Sequence, residues 1–194
     1  TMAKSLQADA EFNNDYGKKR IKELFGSNVM SFPKPPALMN RILEIGSSKD
    51  SLVMDFFSGS ATMADAVMSL NAAVGGKRRF IRVQLPEVVD EATEAGKEGY
   101  TTICNVGEER IRRAGEKIRA EVDEANRQLE LGAEPKPVPD IGFRVLRVDE
   151  SCFKDEYAAP GQYEQAALDL FTDNSAEDAL PLDLLFQVLP AFRI

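Results

Sequence analysis

Histidine is absent from the 194 residues of this chain, and the absence removes several chemistries at once. Without imidazole there is no histidine zinc site, no Ser-His-Asp triad and no histidine general base. Cysteine is scarce: Cys104 and Cys152 are far apart in sequence, and we interpret both as reduced, unreactive thiols. Chemistry in this chain must therefore use carboxylates, hydroxyls, backbone groups or a cofactor.

Long hydrophobic runs are also missing. No apolar stretch approaches the roughly 18 residues that a bilayer-spanning helix needs, and the N-terminus does not resemble a signal peptide. Apolar residues make up 43% of the chain and charged residues 29%, which is typical of a globular protein. We therefore expect a cytoplasmic protein without membrane contact.

Basic residues are in the minority, since 24 Lys and Arg against 32 Asp and Glu give a formal net charge of -8. Surfaces that bind nucleic acid are usually basic, so this charge argues against a large nucleic-acid footprint on the chain itself. The basic residues cluster at 77–79 and 110–119, and we interpret both clusters as solvated faces. Asp65 and Asp90 are likewise predicted to be solvated.

The clearest pattern is a strand–turn–helix–strand unit at 51–87, which has the length of a βαβ crossover. Its two strands, predicted at 51–57 and 79–85, are nearly continuous apolar runs. Such runs are typical of parallel strands covered on both faces. Helical spacing of apolar residues predicts a helix at 61–71 between them.

The flanking segments are read from the same signals. Residues 1–22 form a polar leader, with a short helix predicted at 18–25. A further helix is predicted at 35–45, because Pro36 suits a first helical turn.

Beyond the central unit, a long amphipathic helix is predicted at 108–130. A short third strand is predicted at 101–106, a late strand at 141–149 and a closing helix at 180–189. Residues 132–194 thus form a proline-rich connector, a late strand and a C-terminal helical extension.

The corner after the first strand, V-M-D-F-F-S-G-S-A-T at 53–62, indicates a ligand site. Ligands bind beyond the carboxyl ends of parallel strands, where Asp55 lies. Gly59 permits a positive φ, and Ser60 or Thr62 can cap the following helix. Glu87, at the end of the next strand, can bind ribose hydroxyls. The combination suggests S-adenosylmethionine, whereas G-x-G-x-x-G and G-x-x-x-x-G-K-[ST] are both absent.

The same residues carry a family resemblance. D-F-F-S-G-S-A-T resembles the cofactor loop D-x-F-x-G-S-G-T of DNA amino-methyltransferases, and F-P-K-P at 32–35 resembles the segment preceding it. Several ordered blocks across about 23–189 are similar to the modification subunits of Type III restriction–modification systems. The resemblance implies a DNA adenine-N6 methyltransferase, here as the cofactor half of a Rossmann-like α/β fold with a C-terminal extension. Residues 23–131 would be the part that binds S-adenosylmethionine.

The resemblance also implies a set of cofactor-binding residues: Phe32, Lys34, Pro35, Asp55, Phe57, Gly59, Ser60, Thr62, Gln84 and Glu87. Gln84 and Glu87 would close over adenine and ribose. Adjacent strand residues point to opposite faces, so Phe57 is assigned to the pocket and Phe56 to the core. Ala61 replaces a glycine of the family pattern. The replacement is mild if this position is helical and weakens binding if it is left-handed.

Two expected parts are not found in this sequence. The tetrad [DNS]-P-P-[YFW], which holds a flipped adenine in this family, has no counterpart, since the only Pro-Pro pair lies in Lys34-Pro35-Pro36-Ala37. A target-recognition domain is not found either. We therefore expect the C-terminal portion of a larger methyltransferase, inactive alone, with no catalytic or metal-binding residue of its own. DNA would be contacted mainly through an N-terminal half. We expect the chain to form a homodimer or a complex with that half, and a restriction subunit is a further candidate partner.

Three other functions stay open at the level of sequence. One is a non-catalytic module that binds S-adenosylmethionine or assists assembly. Another is a methyltransferase acting on small molecules or proteins, which would fit the acidity but not F-P-K-P. A nicotinamide-dependent dehydrogenase is disfavoured by the glycine pattern.

Overall fold

A computed structural model describes residues 10–130, 132–148, 151–153, 175–176 and 179–189. The chain divides into two compact units, Thr1–Arg144 and Val145–Ile194. The described elements are a 3-10 turn at Ala10–Phe12, helices α1 (Asn14–Phe25), α2 (Pro36–Gly46), α3 (Thr62–Val74), α4 (Glu94–Lys97), α5 (Ile103–Arg127) and α6 (Pro181–Val188), and strands β1 (Leu52–Phe56) and β2 (Arg79–Val83). None of these helices is both long enough and apolar enough to cross a membrane.

The central unit is a parallel βαβ crossover, as the sequence predicts. β1 and β2 pair in parallel with Leu52 opposite Arg79 and Phe56 opposite Val83, and α3 connects them. α3 continues to Val74, three residues beyond its predicted end, and stops where Gly75 takes a left-handed conformation. The mixed α/β class is therefore confirmed by this crossover.

The sheet is covered on one face only among the described residues. Val53 and Phe80 pack against the cluster that α2 and α3 form around Leu43 and Val67. Side chains on the other face are exposed by 41–61%, and they are Leu52, Met54, Phe56, Ile81 and Val83. The prediction of strands buried on both faces is wrong for this unit, because no described element lies over the second face.

Helices α5 and α3 together supply most of the buried apolar side chains among the described residues. α5 packs against α3, so that Ile111, Ala114 and Ile118 surround Met68 and Ala64. It begins at Ile103, five residues before the predicted start. A capping box sets this start, because the Thr102 side chain accepts from the Asn105 backbone N–H while the Asn105 side chain accepts from that of Thr102. The predicted strand at 101–106 is therefore wrong.

The helix predicted at 18–25 is confirmed as part of α1, which extends back into the predicted polar leader. α1 begins at Asn14, with the Asn13 side chain accepting from Asp15 N, and buries Ile21 and Phe25. The helix predicted at 35–45 is confirmed as α2, with Pro36 in its first turn.

The outcome in the C-terminal third is mixed. Residues 141–148 of the predicted late strand contain no strand, and 149 lies outside the described residues. The closing helix is confirmed as α6 at Pro181–Val188, in the second compact unit.

Gly17 of α1 lets the F-P-K-P segment approach the helix backbone. A Cβ at this position would overlap the Pro33 carbonyl oxygen and lie 2.9 Å from the Lys34 carbonyl oxygen. Pro33 and Pro35 are fully buried, whereas Lys34 is exposed. The segment is thus held by its prolines against α1.

We expect Gly17→Ala to lower the free energy of unfolding by about 1–3 kcal/mol, as overpacking does. Helix propensity alone would raise it by up to about 1 kcal/mol, so a loss isolates the clash. Urea unfolding followed by circular dichroism measures it. Gly46→Ala is the matched control, since a Cβ there meets nothing within 4 Å. Equal stability of the two variants would contradict the close approach.

Candidate functional site at the carboxyl edge of the sheet

The turn between β1 and α3 is the most distorted backbone in the described chain. Phe57, Gly59 and Ala61 all have positive φ, at 56°, 50° and 58°. Ser58 N donates to Val83 O at 3.2 Å, and Ala61 N donates to Ser58 O at 2.9 Å. Two of the three positive φ values belong to residues with a Cβ, for which this conformation is unfavourable. Other contacts must therefore hold the turn.

Gln84 connects the turn to the end of β2. Its Oε1 accepts from Gly59 N at 2.7 Å, and its Nε2 donates to Leu85 O at 3.2 Å. The methyl group of Met30 lies 3.7 Å from the place where a Cβ on Gly59 would be. The glycine, the end of β2 and the chain just before F-P-K-P therefore meet at one edge of the sheet.

Ala61 occupies the left-handed conformation that the sequence analysis treats as unfavourable for a non-glycine residue. The strain costs about 1–2 kcal/mol. Its side chain is fully buried in the α3–α5 core, and one buried methyl group contributes about 0.8 kcal/mol. Burial thus offsets much of the strain, which explains how alanine is tolerated here.

Ser60 and Thr62 do not cap α3, contrary to the prediction. The N-cap is Ala61, with no side-chain cap hydrogen bond. Both hydroxyls are buried and accept from Arg110 Nη1, at 3.1 Å for Ser60 Oγ and 2.7 Å for Thr62 Oγ1. The two hydroxyls thus bind a side chain of α5 instead of the backbone N–H groups at the start of α3.

Asp65 lies beneath the turn between two arginines, and its predicted solvation is wrong. It is 1% exposed and Arg110 is 0% exposed. Arg110 Nη2 donates to Asp65 Oδ2 at 3.0 Å, and Arg20 Nη2 donates to Asp65 Oδ1 at 2.9 Å. Burial would raise the pKa of the Asp65 carboxyl, but the hydrogen bonds and charges of both arginines outweigh it and hold the pKa below its usual value.

Arg110 is therefore a site residue that the sequence analysis assigns to the wrong environment. A signal for its burial exists in the sequence, since α5 repeats every four residues along one face. The other members of that row are apolar and buried, and they are Val106, Ala114, Ile118 and Val122. An arginine within such a row indicates a buried charge with a partner.

Asp55 is half-buried opposite Arg82 in the strand register. Burial raises the pKa of its carboxyl, and the nearby charge of Arg82 opposes the shift only in part. No described side chain donates a hydrogen bond to this carboxylate. Asp55 is thus a carboxylate acceptor near a strand end without a side-chain donor among the described residues.

Arg82 is a second residue that sequence reasoning missed. Its Nε donates to Ser58 Oγ at 3.1 Å, and its Nη1 is buried without a described partner. A Cβ at Gly107 of α5 would overlap this guanidinium, so the glycine leaves space for it. Arg82 therefore braces the base of the turn from β2.

The remaining predicted residues present their side chains to solvent. Phe32, Lys34, Phe57 and Glu87 are exposed, whereas Pro35 is buried. Phe56 is exposed too, so its predicted place in the core is wrong for the described unit. The chain turns at the positive φ of Phe57, which removes the strict alternation that the prediction assumed.

We expect Asp65→Asn to lower the free energy of unfolding by about 3–5 kcal/mol, because it leaves the buried Arg110 guanidinium without its anion and removes one of the two carboxylate partners of the partly buried Arg20. Asp123→Asn, at an exposed position of α5, is the control and should cost less than about 0.5 kcal/mol. Urea unfolding at pH 7 compares them. A cost for Asp65→Asn no larger than that of the control would contradict the buried ion network.

The same carboxylate predicts a pH dependence. Its folded pKa is lowered, so its stabilisation is complete above the unfolded value of about 3.9 and is lost as pH falls toward the folded value. The stability difference between the unsubstituted chain and Asp65→Asn should therefore be constant from pH 7 to about 5 and shrink below about 4. A difference that grows on acidification would contradict this assignment.

Comparison with known proteins reveals relatives of this chain. Residues 8–81 match the family model described as DNA methylase. The chain is 45% identical over 159 residues to the Type III restriction-modification enzyme StyLTI Mod subunit of Salmonella typhimurium, covering 82% of this chain and 21% of that protein. It is 30% identical over 176 residues to the EcoPI Mod subunit of Escherichia phage P1, covering 83% and 25%.

A further relative is the EcoP15I Mod subunit of Escherichia coli, 36% identical over 150 residues, with 74% of this chain and 22% of that protein covered. The chain thus spans about a fifth to a quarter of the length of these relatives. The family match includes α1, α2, the turn at 57–61 and most of β2. The chain accordingly belongs to the DNA methylase family, as a segment of a Type III restriction–modification Mod subunit.

Proposed function

We propose that this chain is the S-adenosylmethionine-binding portion of a DNA adenine-N6 methyltransferase, within a Rossmann-like fold. The observation that carries the proposal is the edge of the βαβ unit. There the unsatisfied Asp55 carboxylate and the turn at 57–61 lie at the carboxyl ends of two parallel strands, the usual place for a ligand in an open α/β sheet.

The residues present suit the parts of this cofactor. The raised pKa and free acceptor of Asp55 fit a cationic donor such as the methionine amine. Gly59 lets a ligand approach the backbone, while Phe57 and Phe32 offer exposed aromatic rings to a purine. Glu87 is exposed at the loop after β2, where a carboxylate can accept from ribose hydroxyls.

Each element of the site then has a binding role. Asp55 binds the methionine amine, Glu87 binds the ribose hydroxyls, and Gln84 fixes Gly59 beside the cofactor. Lys34 and Pro35 line the approach on the side of α1. The cofactor, when bound, supplies the methyl group, and the protein residues bind it, orient it and exclude water.

Catalysis on adenine requires residues that this sequence does not contain. Because the [DNS]-P-P-[YFW] tetrad is not found, we propose that the chain alone binds the cofactor without methylating DNA. The tetrad, most DNA contacts and the attachment of a restriction subunit would belong to the rest of the enzyme, and the acidic charge of the chain agrees with that division.

The exposed apolar face of the sheet supports the same division. Five large apolar side chains on adjacent strands form a patch of the kind that soluble proteins usually cover. We propose that the catalytic half of the methyltransferase covers it. A second copy of this chain is the competing occupant. A non-catalytic module that binds the cofactor or assists assembly is the alternative function, which the missing tetrad and the absence of histidine favour.

We expect the purified chain to bind S-adenosylmethionine in isothermal titration calorimetry and to show no heat with NAD. Asp55→Asn should weaken binding by about 10-fold or more, since a hydrogen bond to a charged group contributes about 1.5–3 kcal/mol. Asp123→Asn is the matched control and should bind as the unsubstituted chain does. Binding of NAD, or equal affinity of the two variants, would contradict the assignment of the site.

We expect no methyl transfer to duplex DNA from the chain alone, and transfer once the missing part is added. The assay follows radioactive methyl transfer after co-expression with the tetrad-carrying portion of the Salmonella typhimurium StyLTI Mod subunit. Met54→Asp, on the exposed sheet face, should abolish the gain by blocking assembly, while Ile45→Asp on exposed α2 should leave it. Methyl transfer by the chain alone would contradict the proposal that catalysis requires the other part of the enzyme. If co-expression gives no methyl transfer, the result favours the non-catalytic alternative.

A further inference from the structure

The Arg110 guanidinium connects two hydroxyls, those of Ser60 in the turn at 57–61 and of Thr62 at the start of α3, to the buried carboxylate of Asp65. Arg110 Nη1 donates to Thr62 Oγ1 at 2.7 Å, to Ser60 Oγ at 3.1 Å and to Ser60 O at 3.4 Å. Its Nε and Nη2 both donate to Asp65 Oδ2, at 3.2 and 3.0 Å. All three nitrogens of the group therefore have partners within the protein.

These contacts change the roles that the family resemblance implies for two residues. Ser60 and Thr62 are buried, and the hydroxyl of each already accepts a hydrogen bond from a charged donor. We infer that Arg110 is a positioning residue that holds the turn at 57–61 in its binding conformation, and that Ser60 and Thr62 act through Arg110 instead of touching the cofactor. The inference rests on the proposed function insofar as the turn meets S-adenosylmethionine.

Arg110 is well placed for this role because it has little freedom to move. Its side chain is 0% exposed, and its carboxylate partner Asp65 is fixed from the opposite side by Arg20 Nε and Nη2, at 3.1 and 2.9 Å. Arg20, Asp65 and Arg110 thus form a clamp that spans α1, α3 and α5. A planar guanidinium, whose donors point in fixed directions, can bind the hydroxyls and the carboxylate at the same time. The compact ammonium group of a lysine cannot span them in the same way.

The turn needs such a clamp because its own conformation is unfavourable. Phe57 and Ala61 both have positive φ, which is unfavourable for residues that carry a Cβ. Releasing the hydroxyls lets the turn relax toward ordinary conformations. If it then holds the binding geometry about a tenth of the time, the cofactor binds about tenfold more weakly.

The test compares Arg110→Met and Arg110→Lys with Arg113→Met as the matched control. Arg113 lies on the same helix and donates to the Leu24 and Phe25 carbonyls, away from the turn. In the cofactor-free chain, amide hydrogen exchange at residues 59–61 should speed up at least about tenfold in both Arg110 variants and not in Arg113→Met. Arg110→Lys retains a charge for Asp65 and serves if Arg110→Met fails to fold.

Calorimetry then separates action through Arg110 from direct contact. Arg110→Met and Thr62→Val should each weaken S-adenosylmethionine binding about tenfold, and the double variant should bind no more weakly than Arg110→Met alone. Full additivity would show Thr62 to be an independent ligand and overturn the inference, as would unchanged exchange at 59–61. Absence of binding by the unsubstituted chain would refute the proposed function, while the exchange result would still decide the role of Arg110.

Discussion

The Asp65 carboxylate, held between Arg20 and Arg110, is the interaction on which the arrangement of this unit depends. It lies where α1, α3 and α5 meet, and it fixes the guanidinium that in turn holds the hydroxyls of Ser60 and Thr62. A buried charge of this kind adds little net stability over a well-packed apolar core, but it is costly to break and specific in its geometry. Its contribution here is geometric, because it determines where the turn at 57–61 sits at the carboxyl edge of β1.

The second constraint is the uncovered face of the sheet. Two parallel strands, packed by α2 and α3 on one side only, leave a row of large apolar side chains in water. The chain corresponds to about a fifth to a quarter of the length of its relatives, and the proposed occupant of this face is the catalytic half of the methyltransferase. The proposed division also explains why the proposed cofactor site occurs in an acidic chain in which the adenine-binding tetrad is not found.

The sequence predicts this unit well where local signals agree and poorly where the deciding contact is distant. The apolar runs and the turn S-G-S place β1, α3 and β2, and Pro36 places the start of α2. The predicted strand at 101–106 fails because the capping box of Thr102 and Asn105 outweighs a weak strand pattern. The burial of Asp65 and Arg110 depends on residues 45 positions apart, so charge type alone gives the wrong environment for both. The exposure of one face of β1 cannot be predicted from its sequence. The apolar run shows that both faces of the strand are apolar, but it does not show which part of a protein covers each face.

The distance in sequence between the clamp and the turn has a consequence for biosynthesis. Arg110 lies 48 residues after Thr62, and the strand–turn–helix that carries the site is made well before α5. The turn therefore leaves the ribosome before the residue that fixes its conformation. The chain between Thr62 and Arg110 must fold back on itself before their hydrogen bond can form. The turn thus reaches its final shape only when α5 docks, and the same docking closes the core between α3 and α5.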